Sequence, residues 1–314
     1  MKRWLIPLKL DGSDEGLLAY ADYMAKQMCP DYIGFVHVSE PDLLPIGLGQ
    51  YFPTSSRSTG ASLTTEMQAT VAQRFDSAIE LNFKTINGRN VHSVLQETRS
   101  QKIGLTFLAW HQESSSSQTL ARKIARKTSS SVWIVPSTAQ ASLKSAIVPV
   151  DFSIYSHRTL RLAMDLVKRG ELRTVYCQHV FLGANYYQDK LVYTVDEANE
   201  KARRVRKIEA DLQRYFENEL SDYIATYDPT ARHCLQQVDS LDHRSESVHQ
   251  RILDLTDALE PDLLIMGSRG LTDAKSVMLG GVAENMIRGS IKVPILCLKR
   301  PLENRDLLDN LLSW

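Results

Sequence analysis

Apolar residues come in short continuous runs, each followed by a stretch with helical spacing. Leu5-Ile6-Pro7-Leu8 is the first run. Leu17, Leu18, Ala21, Met24 and Ala25 follow at steps of three and four, then the run Phe35-Val36-His37-Val38. Continuous runs of four to eight predict buried strands, and steps of three and four predict amphipathic helices. The same order returns further on: Ala146-Ile147-Val148-Pro149-Val150, then Leu160, Ala163, Met164 and Val167, then Cys177-Gln178-His179-Val180. A long helix is expected over 195–224, with Ala198, Ala202, Val205, Ile208, Leu212, Phe216 and Leu220 on one face. Beyond it come a strand from Cys234 to Val238 and a helix carrying Val248, Ile252 and Leu255. Strands Leu263–Met266 and Val293–Leu298 complete the second half, and Leu105–Leu108 and Val132–Val135 are their partners in the first.

The pattern is an internal repeat. It matches Asp11 with Asp151 at a spacing of 140 and His37 with His179 at 142. Strands alternating with helices imply parallel sheets covered on both faces, and strands buried on both sides read as unbroken apolar runs. The expected fold class is therefore α/β: two tandem open parallel-sheet domains of Rossmann-like type, with helices on both faces. The domains are placed at residues 1–140 and 143–300, with 301–314 as a C-terminal tail. The Ser/Thr-rich segment Pro53–Thr65 reads as a loop.

Composition narrows the functional classes. With 37 basic and 37 acidic residues, the chain lacks the positive excess of a general polyanion binder, so nucleic acid is not expected as a partner. The four cysteines form no C-x-x-C pair and have no zinc spacing, so no metal site is expected. No apolar stretch approaches the ~20 residues of a membrane span, and Pro7, Lys9 and Asp11 break the first run, so a cytoplasmic protein is expected.

Ligands of open parallel sheets sit beyond the carboxyl ends of the strands, where strand order reverses. Three segments of the second half end there. Asp151 follows the first strand; its carboxylate can accept hydrogen bonds from ribose hydroxyls or an adenine amino group, or it can close an Asx turn ahead of the helix. His179-Val180 ends the second strand, where the backbone at Val180 can pair with a base edge, or the strand simply terminates. The fourth strand runs into Gly267-Ser268-Arg269-Gly270, and Gly280-Gly281 precede a helix starting near Val282. Glycines let backbone N–H groups approach an anion, and a helix N-terminus adds aligned dipoles.

Gly267-x-x-Gly270, nine residues and then Gly280 resembles the G-x2-G-x9-G-[S/T] ATP-binding motif of universal stress proteins. Leu279-Gly280-Gly281-Val282-Ala283-Glu284 and Val150-Asp151-Phe152-Ser153 are similar to the same family, and the resemblance covers nearly the whole chain twice, more weakly in the first half. It implies a stress-response, nucleotide-binding regulatory protein of the adenine nucleotide alpha hydrolase-like fold. Asp151 and Val180 would hold adenosine. Gly267 and Gly270 would hold ribose and phosphates, Gly280 with Gly281 the outer phosphates, and Arg269 and Val282 join them among the nucleotide-binding residues. The implied ligand is ATP, with Mg2+ where the phosphates require it. The last strands of the two halves would pair inside one chain as a pseudo-dimer, with a homodimer as a further option.

Two departures stand out. The motif's final Ser/Thr is Gly281, and the first half has Ala109-Trp110 and Glu113-Ser114-Ser115-Ser116-Ser117 in place of the glycine loop. The first half is therefore expected to be structural or regulatory. A non-nucleotide ligand binder or scaffold remains the alternative function. Slow ATP hydrolysis is the less favoured one, since neither a catalytic residue nor a G-x4-G-K-[S/T] loop is found.

Overall fold

The computed structural model describes residues 3–39, 60–71, 74–112, 114–182, 198–225, 232–238, 247–269, 279–289 and 292–299. The chain divides into two compact units, one formed by Met1–Ser142 with Lys299–Trp314 and the other by Leu143–Leu298.

Unit 1 runs β1 (Arg3–Leu8), α1 (Glu15–Met28), β2 (Tyr32–Ser39), α2 (Gly60–Val71), β3 (Glu80–Asn87), α3 (Asn90–Ser100), β4 (Leu105–Trp110), α4 (Ser115–Lys127) and β5 (Ser131–Pro136). Its strands lie in the order β3-β2-β1-β4-β5, and the registered pairs are parallel. The core is aromatic at its centre. Phe107 stacks on Trp133 at 5.4 Å and meets Trp4 at 5.0 Å, and Tyr20 of α1 closes edge-on against Trp133. The helical spacing seen at Leu17, Leu18, Ala21, Met24 and Ala25 is the buried face of α1.

Unit 2 runs β6 (Ser145–Val150), α5 (Ile154–Lys168), β7 (Thr174–Leu182), α6 (Ala198–Ala225), β8 (Arg232–Val238), α7 (Val248–Leu259), β9 (Leu263–Gly267), α8 (Gly281–Arg288) and β10 (Ile295–Leu298). Its strands lie in the order β10-β9-β6-β7-β8, again parallel. Asp262 fixes the start of the sheet: its Oδ2 accepts from the N–H groups of Lys144 and Ser145 at 2.7 and 2.9 Å.

In unit 2 the strand order reverses between β6 and β9. These two strands share only the pairs Ala146↔Leu263 and Ile147↔Leu264, whereas β6 and β7 are paired from Ser145 to Val150. The strands part toward their carboxyl ends and leave a crevice between helices that start there. The same divergence separates β1 and β4, which pair only at Trp4↔Leu105 and Leu5↔Thr106.

The structure corrects several sequence expectations. Residues 60–65, expected in a loop, open α2. The long helix is described over Ala198–Ala225, and residues 195–197 of its expected span lie outside the described residues. β10 starts at Ile295 rather than Val293. The tail 301–314, Gly270 and most of Pro53–Thr65 also lie outside the described residues.

The largest correction concerns the repeat. Leu8 pairs with His37 and Val150 with His179, so one spacing of 142 relates both strands. His37 Nδ1 bonds Leu8 O at 3.0 Å and His179 Nδ1 bonds Val150 O at 2.8 Å. Leu10 and Phe152, also 142 apart, share a left-handed backbone with φ of 61°. The counterpart of Asp151 is therefore Lys9, not Asp11. Sequence matching by residue type gave the aspartates a spacing two residues too short, since hydrogen-bonding geometry rather than residue identity is repeated here.

Candidate functional site

The crevice of unit 2 is built by the β6–α5 turn, the end of β7, the end of β9 and the start of α8. At the β6–α5 turn, Asp151 Oδ1 accepts from the Ser153 N–H at 3.1 Å and from the Ser156 hydroxyl. Ser156 Oγ in turn accepts from the Asp151 N–H at 2.9 Å. Ser153 caps α5, its side chain accepting from the Ser156 N–H. Asp151 is thus held by the Asx turn that the sequence allowed, with its side chain fixed at the carboxyl end of β6.

His179 is buried between Phe152 at 4.5 Å and Phe216 at 4.9 Å, ring centre to ring centre. Nδ1 faces a carbonyl oxygen, so it carries the proton and Nε2 is a bare acceptor. No described residue bonds Nε2. Burial pushes the His179 pKa down, opposed by the bond to Val150 O and by the charge of Asp151. The imidazole is neutral structural packing, not a base with a nucleophile beside it. Its protonation is disfavoured in the folded state relative to a free histidine at about 6.5. The folded form therefore binds fewer protons than the unfolded chain below that pH. Its stability is full above about 6.5 and falls as pH drops below it, by at most ~1.4 kcal/mol per pH unit for one group. His249, also pushed down by burial, adds in the same direction. A thermal melt of the wild type should lose stability between pH 7 and 5 more steeply than that of His179→Phe. Parallel curves would show that His179 titrates normally.

At the end of β9, a Cβ on Gly267 would lie 3.0 Å from Tyr155 Cβ and 3.1 Å from Arg269 O, tighter than nearly all real Cβ contacts. Glycine suits this position because the first turn of α5 packs closely on the strand. Ser268 is buried; its N–H donates to Leu298 O and its carbonyl accepts from the Gly280 N–H, each at 2.8 Å. Gly280 is thus committed to the loop, and its N–H is not a phosphate donor. The donors at the mouth are those of the helix that follows. Gly280 is the N-cap of α8 without a side-chain cap, and Gly281 and Val282 occupy the first turn, whose N–H groups have no partner within a helix. Val282 is exposed, and a Cβ on Gly281 would meet nothing within 4 Å.

The structure thus gathers Asp151, Gly267, Arg269, Gly280, Gly281 and Val282 at one edge. Val180 lies half-buried on β7 one residue beyond His179, while Gly270 falls outside the described residues. Sequence reasoning placed Ser156 in the loop that resembles the family's first one without giving it a role, and missed Tyr155. Ser156 fixes Asp151, and the S-x-x-S spacing of Ser153 and Ser156 at a helix start is the signal that points to it. Tyr155 had no signal, because only packing brings it to Gly267.

Unit 1 is organised differently at the same edge. Lys9 replaces Asp151, and the Asp14 carboxylate takes the place of the Ser156 hydroxyl, accepting from the N–H groups of Lys9 and Leu10. Burial raises the Asp14 pKa despite those bonds. Only four residues separate β4 from α4, where thirteen separate β9 from α8. Ser114 caps α4, its hydroxyl accepting from the Ser117 N–H at 3.3 Å. Trp110, which stands where a glycine loop would begin, is buried in the core with the Arg122 guanidinium 5.4 Å over its ring.

The model of the universal stress protein family matches residues 143–299. The chain belongs to the universal stress protein family. Among curated relatives, universal stress protein MJ0577 of Methanocaldococcus jannaschii is 26% identical over 170 residues, spanning 50% of this chain and 95% of that protein. Among solved structures, a universal stress protein of Archaeoglobus fulgidus superposes with a TM-score of 0.62 at 19% identity, covering 95% of this chain and 98% of its own. PA1789 of Pseudomonas aeruginosa, described as functionally unknown, gives 0.62 at 11% identity over 100% of this chain and 96% of its own. These structural likenesses establish the α/β fold. Among the described residues, no helix of this stress-family protein is long and apolar enough to cross a membrane.

Proposed function

We propose that this protein is a stress-response regulator that binds an adenine nucleotide, ATP, in unit 2, and that unit 1 is its structural or regulatory partner. The observation that carries this reading is the uncapped start of α8 at Gly281, set beside the crevice where β6 and β9 part. A polyphosphate is an anion that aligned N–H groups and a helix dipole can hold without a lysine cluster. Asp151 is held at the neighbouring strand end by Ser153 and Ser156, and a carboxylate there is of the kind that accepts from ribose hydroxyls. In unit 1 the equivalent helix start is closed by Ser114 and the acceptor position holds Lys9, which argues against a second site of this kind.

Mg2+ would accompany ATP through its phosphates. The last strands of the two units, apolar in both, would pair within one chain and cover each other's edges. A cytoplasmic location belongs to the same reading. Calorimetric titration of nucleotide-stripped protein with Mg-ATP tests it. One site per chain, with a matching rise in the melting temperature, is expected. Two equal sites would overturn the assignment of unit 1, and an absence of both heat and stabilisation would overturn nucleotide binding itself.

A further inference from the structure

Three residues of unit 2 interlock in a way that unit 1 does not repeat. Tyr155, in the first turn of α5, is buried, and its Cβ abuts Gly267 so closely that an added methyl would fall 3.0 Å away. Arg269, two residues past β9, donates from Nη1 to the Tyr155 hydroxyl at 3.5 Å. The counterparts in unit 1, by strand register, are Ser13, Ala109 and His111. A large side chain opposite glycine has become a small one opposite alanine, and the guanidinium is absent. Steric fit and polar contact change together, as expected of one unit of packing rather than three independent positions.

We propose that Tyr155 is a positioning residue that holds the Arg269 guanidinium at the phosphate end of the crevice, so that the site selects nucleotides by their phosphates. This deepens the nucleotide reading and rests on it. Arg269 follows the strand end at which Ser268 ties the loop to Gly280 and so to the start of α8. A guanidinium there adds a fixed positive charge and several donors beside the helix N-terminus. An arginine left free would lose side-chain entropy on closing over an anion. The tyrosine hydroxyl takes much of that loss in advance, and the glycine at position 267 is what lets the tyrosine come near enough.

The test compares wild type, Tyr155→Phe, Arg269→Gln and the double variant, each titrated calorimetrically with Mg-ATP and with adenosine. Tyr155→Phe keeps the ring and the Cβ that pack on Gly267. Adenosine affinity should be unchanged in all four proteins. ATP affinity should fall about tenfold in Arg269→Gln, the size expected for a charge-assisted hydrogen bond, and about three- to fivefold in Tyr155→Phe, because the bond lost there is long at 3.5 Å and acts only through the arginine. The double variant should bind no more weakly than Arg269→Gln alone. Equal losses for ATP and adenosine in Tyr155→Phe would reduce it to a structural role, and full ATP affinity in that variant or additive losses would overturn the positioning. If wild type binds ATP no better than adenosine, or binds neither, the phosphate reading itself fails and the inference falls with it.

Discussion

Gly281→Pro should lower the affinity for Mg-ATP by about ten- to a hundredfold, while Gly281→Ser raises it about fivefold. The two substitutions act on one backbone position in opposite directions. Gly281 is the first helical residue of α8, after Gly280 at φ −69° and ψ 158°. Proline is favoured at a first helical position, and the extended Gly280 is the conformation a following proline requires. The helix is therefore retained while one N–H is removed. A hydrogen bond to a charged group contributes about 1.5–3 kcal/mol, which sets the loss. Serine keeps the N–H and restores the hydroxyl of the family motif. Its Cβ would meet no described residue within 4 Å, and the restored hydroxyl adds roughly 1 kcal/mol. The measurement is a calorimetric titration of the three proteins with melting curves as a check on folding. Indistinguishable ATP affinities would mean that the phosphates do not lie at the start of α8.

Phe107→Ala should destabilise unit 1 by about 3–5 kcal/mol, whereas Phe107→Leu should cost less than about 1.5 kcal/mol. Phe107 is fully buried on β4, stacked on Trp133 at an interplanar angle of 7° and in contact with Trp4 on the other side. Truncation opens a cavity between two indoles that are held by their own strands and cannot collapse into it. Trp4, Trp110 and Trp133 lie in unit 1 and residues 143–298 carry no tryptophan, so tryptophan fluorescence follows the unfolding of unit 1. A shift of the fluorescence transition in urea without a matching shift of ATP-dependent stabilisation is expected if unit 1 does not carry the nucleotide. A loss below 1 kcal/mol would show that the aromatic stack is not a keystone of this core.

Much of the architecture was legible along the chain. Unbroken apolar runs such as Ala146–Val150 and Leu263–Met266 became central parallel strands because burial on both faces leaves no polar position to alternate with. The glycine at 267 marked a close approach of α5 to the strand end, and those at 280 and 281 marked the start of α8. The repeat was visible too, but its register was not. Asp11 and Asp151 look alike in sequence, yet the equivalent of Asp151 is Lys9, and the acidic group that serves that turn in unit 1 is Asp14.

The sequence by itself determined the α/β class, the order of strands and helices in each half and the family. Local periodicity and backbone demands encode these, and both are properties of neighbouring residues. Only the tertiary structure decided how the carboxyl edge of the sheet is built. It showed that the Gly280 N–H belongs to Ser268 and that Tyr155 sits against Gly267 beneath Arg269. Each of these is a contact between segments far apart in the chain or a competition for one donor. Such outcomes depend on where the sheet brings backbone and side chains together, which spacing along a sequence does not specify.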